Sequence, residues 1–197
     1  HGYFDYPANR ERAMTNITID SNLIECAKNL LDDKDIKRAA KAAVKRAVTA
    51  ARTAAAKEIR KDYTVKSAEV KMNIHHKVTV TPEGIRGAVI GEGARLKLDK
   101  FKVFRNARSP MSVKVLKRKR AAKVKGLFFG HTTKGDEAPF LRTTKNRKPI
   151  NMLYGPSLPE MMQNKDVLEF MAGVAQETLN KRFEHEINYR LSQKGSK

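Results

Sequence analysis

Few residues of the chain are spaced for chemistry. The one histidine pair, His75-His76, is adjacent in sequence. Neighbours on a strand point to opposite faces, so the two cannot chelate one ion together. His131 falls in a polar stretch that reads as loop, and His185 stands between Glu184 and Glu186 on a helical pattern. Neither completes a His-Glu-x-x-His spacing. Cys26 is the only cysteine, which excludes an internal disulfide and a cysteine-based zinc site. No histidine lies near it in sequence, so it reads as a small buried thiol. Gly84, Gly87, Gly91 and Gly93 would cradle a phosphate only with a Lys-Ser/Thr after the last glycine, or with a strand before and a helix after. Neither follows, which leaves them as turn or bulge positions. There is no Gly-x-Ser-x-Gly elbow, and no carboxylate pair in apolar surroundings. The expectation is a non-enzymatic protein with no catalytic residue, no metal and no cofactor.

Charge remains. The chain has 41 Lys+Arg against 21 Asp+Glu, a formal net charge of +20. Such a balance opposes self-association unless something acidic is close: nucleic acid, an acidic protein surface or anionic lipid. Two runs concentrate it. The first holds Lys114, Lys117, Arg118, Lys119, Arg120, Lys123 and Lys125; the second holds Lys134, Arg142, Lys145, Arg147 and Lys148. Clusters on strand connections can follow a phosphate backbone with salt-dependent affinity, or meet an acidic neighbour. Neither an RNA-recognition nor a KH signature is present, and tryptophan is absent, so any DNA contact is expected to be non-specific. No apolar run reaches 18 residues, so no membrane span is expected. No secretory h-region is seen, and the lone cysteine suits assembly in a reducing compartment.

The third candidate is the stretch Pro149–Met162. Pro149, Pro156 and Pro159 fix φ and lack an N–H, so no helix or inner strand is expected to run through it. Yet it carries Ile150, Met152, Leu153, Tyr154, Leu158, Met161 and Met162, too many apolar side chains for a solvated loop. Pro149, Ile150, Leu153, Tyr154, Pro156, Leu158, Pro159 and Met161 are therefore candidate packing or inter-subunit contacts. Their seat is either the chain's own core or a neighbouring subunit.

These candidates need elements to hold them. Residues 1–16 lack periodicity and read as an arm, with Tyr3, Phe4 and Tyr6 as possible anchors. A short helix capped by Asp20 or Ser21 is expected up to Leu31. From Asp33 to Lys61, Ile36, Ala40, Ala43, Val44, Ala47, Val48, Ala51, Ala54, Ala55 and Ile59 form a 3.6-residue stripe. Mostly alanine, it buries little area per residue and lets the backbone approach its neighbour. Lys37, Arg38, Lys41, Lys45, Arg46 and Arg52 make the outer face basic, and read first as a solvated face. Strands are expected over Glu69–Ile74, Lys77–Thr81, Gly84–Ile90, Ala94–Phe104, Met111–Leu116, Ala121–Phe129 and Phe140–Thr143. Breaks fall at Pro82–Gly84 and Gly91–Gly93, and a loop at Gly130–Ala138. A last helix runs from Asn164 to about Ser192 on a stripe that includes Val167, Phe170, Met171, Leu179, Phe183 and Ile187. Strands grouped in the middle argue for an α+β fold, with a long N-terminal alanine-rich helix and a C-terminal helix packed on a central antiparallel sheet of four or five strands. The expected organisation is an arm (1–16), a single domain (17–192) and a basic tail (193–197).

Several segments together resemble the minor tail protein Z family of tailed bacteriophages and prophages, the tail completion proteins. They are the alanine-rich helix with Arg46, Thr53, Ala54 and Ala55, the segment Glu58–Lys66, Val113–Lys117, Phe140–Arg142 and Asn146–Ile150. Leu153–Met161 and Leu179–Ile187 complete the set. The Gly155-Pro-Ser-Leu-Pro159 segment is the most specific of them. The resemblance implies a structural virion protein, assembled in the host cytoplasm, at the head-proximal end of the tail. It implies a ring of copies, commonly sixfold. Its neighbours would be tail terminator, tail tube or neck proteins, with DNA passing through the channel. A non-enzymatic nucleic-acid-binding protein of ribosomal type is the alternative suggested by charge and size. A nuclease would need an acidic metal cluster that the sequence does not display.

Overall fold

The computed structural model describes residues 11–18, 31–81, 84–105, 110–132, 135–142 and 144–195. The short helix expected before Leu31, the aromatic anchors of the arm, Lys134 and Cys26 lie outside them. The fold is α+β, as expected.

Helix α1 spans Asp33–Asp62. Most of its buried positions come as adjacent pairs: Ala39 and Ala40, Ala43 and Val44, Ala47 and Val48, Ala54 and Ala55, Glu58 and Ile59, with Ile36 and Ala51 buried singly. Burial of two neighbouring positions per turn widens the covered face beyond one stripe, so the helix can meet two partners. One is helix α4, Lys165–Gly195, whose Val167, Met171, Ala175, Leu179, Phe183 and Ile187 are buried. The other is the first sheet, whose inner residues include Ile74 and Val89. The C-terminal helix thus packs mainly on α1, with a smaller contact to β1, and α1 packs on the sheet. Lys194 Nζ lies 2.8 Å from an Asp32 carboxylate oxygen and 3.8 Å from one of Asp35, which joins the end of α4 to the start of α1 and makes the pair antiparallel. Phe170, expected on the buried stripe of α4, is 40% exposed.

The first sheet has the order β1-β3-β2, all antiparallel, with β1 at Glu11–Thr18, β2 at Ile74–Thr81 and β3 at Gly84–Gly93. Three expectations fail in and beside this sheet. Residues 11–16, read as arm, pair with β3 from Glu11↔Gly93 to Asn16↔Ala88. Gly91–Gly93, read as a break, continues β3, because β1 and β2 supply partners there. Glu69–Ile74, read as strand, is mostly helix: helix α2 spans Ser67–Asn73, and β2 starts only at Ile74. The single buried side chain of α2 is Val70, and Arg52 of α1 donates to the carbonyls of Lys71 and Ile74 at 3.0 and 2.8 Å, meeting acceptors left over at the helix end.

The remaining strands form two further small sheets instead of one central sheet. One has the order β4-β5-β6, with β4 at Lys102–Phe104, β5 at Ser112–Lys114 and β6 at Ala122–Lys123. The other has the order β7-β8-β9, with β7 at Leu127–His131, β8 at Glu137–Arg142 and β9 at Ile150–Met152. Ala94–Phe104 is accordingly not one strand: a 3-10 turn at Leu98–Lys100 buries Leu98 ahead of β4. Ala121–Phe129 is likewise split between β6 and β7, with Gly126 at φ +81°. Gly130, His131, Glu137 and Ala138, read as loop, belong to the β7–β8 hairpin.

Pro149–Met162 is more regular than its prolines suggest. It supplies β9 and then helix α3, Leu158–Met162. Pro159 sits in the first turn of α3, where no N–H is required. Ser157 caps it: its hydroxyl oxygen accepts from the Glu160 N–H at 3.2 Å, and the Glu160 carboxylate accepts from the Ser157 N–H at 2.7 Å. This Ser-x-x-Glu capping box is the sequence signal that the prolines obscured. Gly155 is a packing glycine, since a Cβ there would stand 2.5 Å from the ring of buried Phe101.

Two stability measurements follow from this packing. Ser157→Ala should lower the unfolding free energy by about 1 kcal/mol through loss of the cap. Gly155→Ala should cost about 1–3 kcal/mol through overpacking against Phe101. Urea midpoints that match the wild type would contradict both assignments.

Candidate binding site at the basic hairpin

The end of α1 sets the first basic run. Beyond Asp62 the chain stays extended: Tyr63 bridges to Leu116, the Thr64 N–H donates to the Val115 carbonyl at 2.9 Å, and the Thr64 hydroxyl donates to the Lys114 carbonyl. The Lys117 N–H donates to the Asp62 carbonyl at 2.7 Å, and its ammonium donates to the Arg60 carbonyl. A cation at the last carbonyls of a helix suits the negative end of its dipole. Residues 117–120 therefore form a turn fixed at its start to a 30-residue helix. From that turn Arg118, Lys119 and Arg120 stand exposed, as do Lys123 and Lys125 on the returning segment, while Lys114 is half-buried in β5.

Under this turn lies a cavity of about 380 Å³ between the second and third sheets. Val113, Val115, Leu116 and Val124 line it from one side, with Leu141 and Leu153 opposite. Lys119, Arg120, Lys123 and Lys125 form its rim, and among the described residues no carboxylate lines it. None of these four cations forms an ion pair among the described residues.

The second run is only partly brought to the same place. The Arg142 N–H donates to the Gly126 carbonyl at 3.2 Å, next to Lys125, so this arginine adjoins the first run. Its guanidinium lies 5.1 Å from the Phe128 ring centroid, and Phe128 stacks on Phe140 at 5.9 Å. Lys145, Arg147 and Lys148 are exposed on the way to β9 and do not line the cavity.

The proline-rich candidates turn mostly inward. Leu153, Leu158 and Met161 are 3%, 0% and 0% exposed within the chain's own core, and Pro159 is buried too. Tyr154 and Pro156 are half-buried; Pro149 and Ile150 are exposed. Leu158 and Met161 thus have no surface left for a neighbour.

One feature lay beyond sequence reading: Arg105 grips Glu137 with two bonds of 2.9 Å, and its guanidinium lies 3.7 Å from the Phe129 centroid. A separation of 32 residues leaves no spacing signal. The bond from Arg105 holds the Glu137 carboxyl below the usual range, and the same bond raises Arg105. Similar pairs raise Lys100, through Glu69, and Lys194, through Asp32. Burial raises the Tyr63 phenol. Among the described residues no group of three or more His, Cys, Asp or Glu is placed to hold a metal.

Arg105→Met should return the Glu137 pKa upward in an NMR titration. Because the folded value is depressed, any stability from this pair is present above the unfolded pKa and is lost as pH falls through the folded one. The wild-type advantage should therefore vanish in acid; an advantage that persists there would contradict the pairing.

Compared with protein-family models, curated proteins and solved structures, the chain matches none of them.

Proposed function

We propose that the chain is a non-enzymatic assembly protein whose basic hairpin faces a polyanion, and that its copies form a ring completing the head-proximal end of a phage or phage-like tail. One observation carries the first part: Lys119 and Arg120 on a braced turn, and Lys123 and Lys125 on the segment returning from it, have no carboxylate partner among the described residues. Exposed cations at a fixed place, in a chain of net charge +20, repel further copies until an external anion offsets them. DNA in a channel, or an acidic ring of neighbouring tail or neck proteins, would supply that anion. The tail itself rests on the resemblance carried by Gly155-Pro-Ser-Leu-Pro159 and the segments around it.

The ribosomal-type alternative has its own supporting observation. Half-buried Phe128 and Phe140, with Arg142 against Phe128, form a small aromatic and cationic surface of the kind on which bases stack.

The test spares Lys117, which is bonded to α1. Arg118→Glu, Lys119→Glu and Arg120→Glu combined should cut the yield of DNA-filled particles at least tenfold while the circular dichroism spectrum stays native. Undiminished yield would contradict the proposal.

A further inference from the structure

The cavity has a second property besides its cationic rim. Ala122 and Lys123 of β6 both line it, with Val124 and Lys125 just beyond the strand, although consecutive residues of a strand point to alternate faces. The edge of β6 itself must therefore border the opening. Among the described residues β6 is paired on one side alone, to β5. The Val124 N–H donates to the Met111 carbonyl at 2.9 Å, in the register Ser112↔Lys123. By antiparallel alternation, the N–H and C=O of Lys123 then face away from β5, toward the open edge.

We infer that this cavity is the docking site for an extended acidic segment of a partner protein, which lays its backbone along β6 and inserts one large apolar side chain. Three features converge on that occupant. The apolar walls and a volume of about 380 Å³, near the small end of ligand-sized cavities, leave room for a large aromatic or aliphatic side chain. Four cations without a carboxylate select acidic flanks. The strand edge offers main-chain hydrogen bonds that a peptide can meet and an acyl chain cannot. This inference goes beyond the tail assignment, because a partner of this chemistry could belong to any assembly.

The probe is a fluorescein-labelled peptide, Asp-Glu-Asp-Phe-Glu-Asp-Glu, titrated with the full chain and followed by anisotropy. A twin with Ser in place of Phe should bind at least tenfold more weakly to the unmodified chain, a comparison that needs no variant. A twin N-methylated along its backbone should also lose at least tenfold. Ala122→Phe, which fills the opening, should weaken the Phe peptide at least tenfold and leave the Ser peptide unchanged. Lys119→Glu with Arg120→Glu should weaken both. Equal binding of the Phe and Ser peptides would overturn the inference, as would no binding of either. Displacement of a cavity-bound dye by decanoate but not by the Phe peptide would assign the site to a lipid and overturn it as well. The particle-yield experiment is read separately, so either proposal can fail alone.

Discussion

The closest constraint in the structure is the alanine seam of α1. Ala39, Ala43, Ala47, Ala51 and Ala55 are wholly buried, each with a single methyl beyond the backbone. A methyl contributes only about 0.8 kcal/mol on burial, so a helix built this way gains stability through closeness and contact number rather than side-chain bulk. The consequence is directional. With α4 on one flank and the first sheet on the other, α1 has little room to turn or slide without clashing somewhere along its length. Larger residues on α4 (Met171, Leu179, Phe183) supply the volume that the alanines do not.

That rigidity is exported at the C-terminal end of α1. Asp62, Tyr63 and Thr64 pair with Lys117, Leu116 and Val115 in that order, so the basic hairpin is attached to the best-buried element of the fold. The carbonyl end of the helix also provides partial negative charge where the turn begins. Beyond Lys117 no compensation follows from within the described residues for Lys119, Arg120, Lys123 or Lys125. The fold thus presents cations at a set position instead of on a flexible tail, and the account of function depends on that difference.

Sequence made some of this legible and hid the rest for physical reasons. The α1 stripe was legible because a 3.6-residue repeat over 30 residues has few rivals, and all ten apolar positions of that stripe are buried. Ser67–Asn73 was not, because one buried valine in so short a segment defines no period. β1 was hidden because its pattern mattered only once β3 lay beside it, and β3 looked shorter than it is because Gly91 and Gly93 usually mark breaks. Three prolines masked a helix that begins at one of their neighbours, where proline is well tolerated. The basic run was visible by composition, but its cavity was not. Val113, Val124, Leu141 and Leu153 come from separate segments, and only the stacking of two small sheets brings them together.

Under the proposed function, a rigid subunit presenting fixed cations would close into a ring with other copies around or against a polyanion. Size-exclusion chromatography with light scattering, run with and without a short DNA duplex and supported by negative-stain images, tests it most directly. The account predicts a discrete closed multimer, visible as rings. A chain that stays monomeric at every protein concentration and merely binds the duplex in a salt-sensitive way would contradict it.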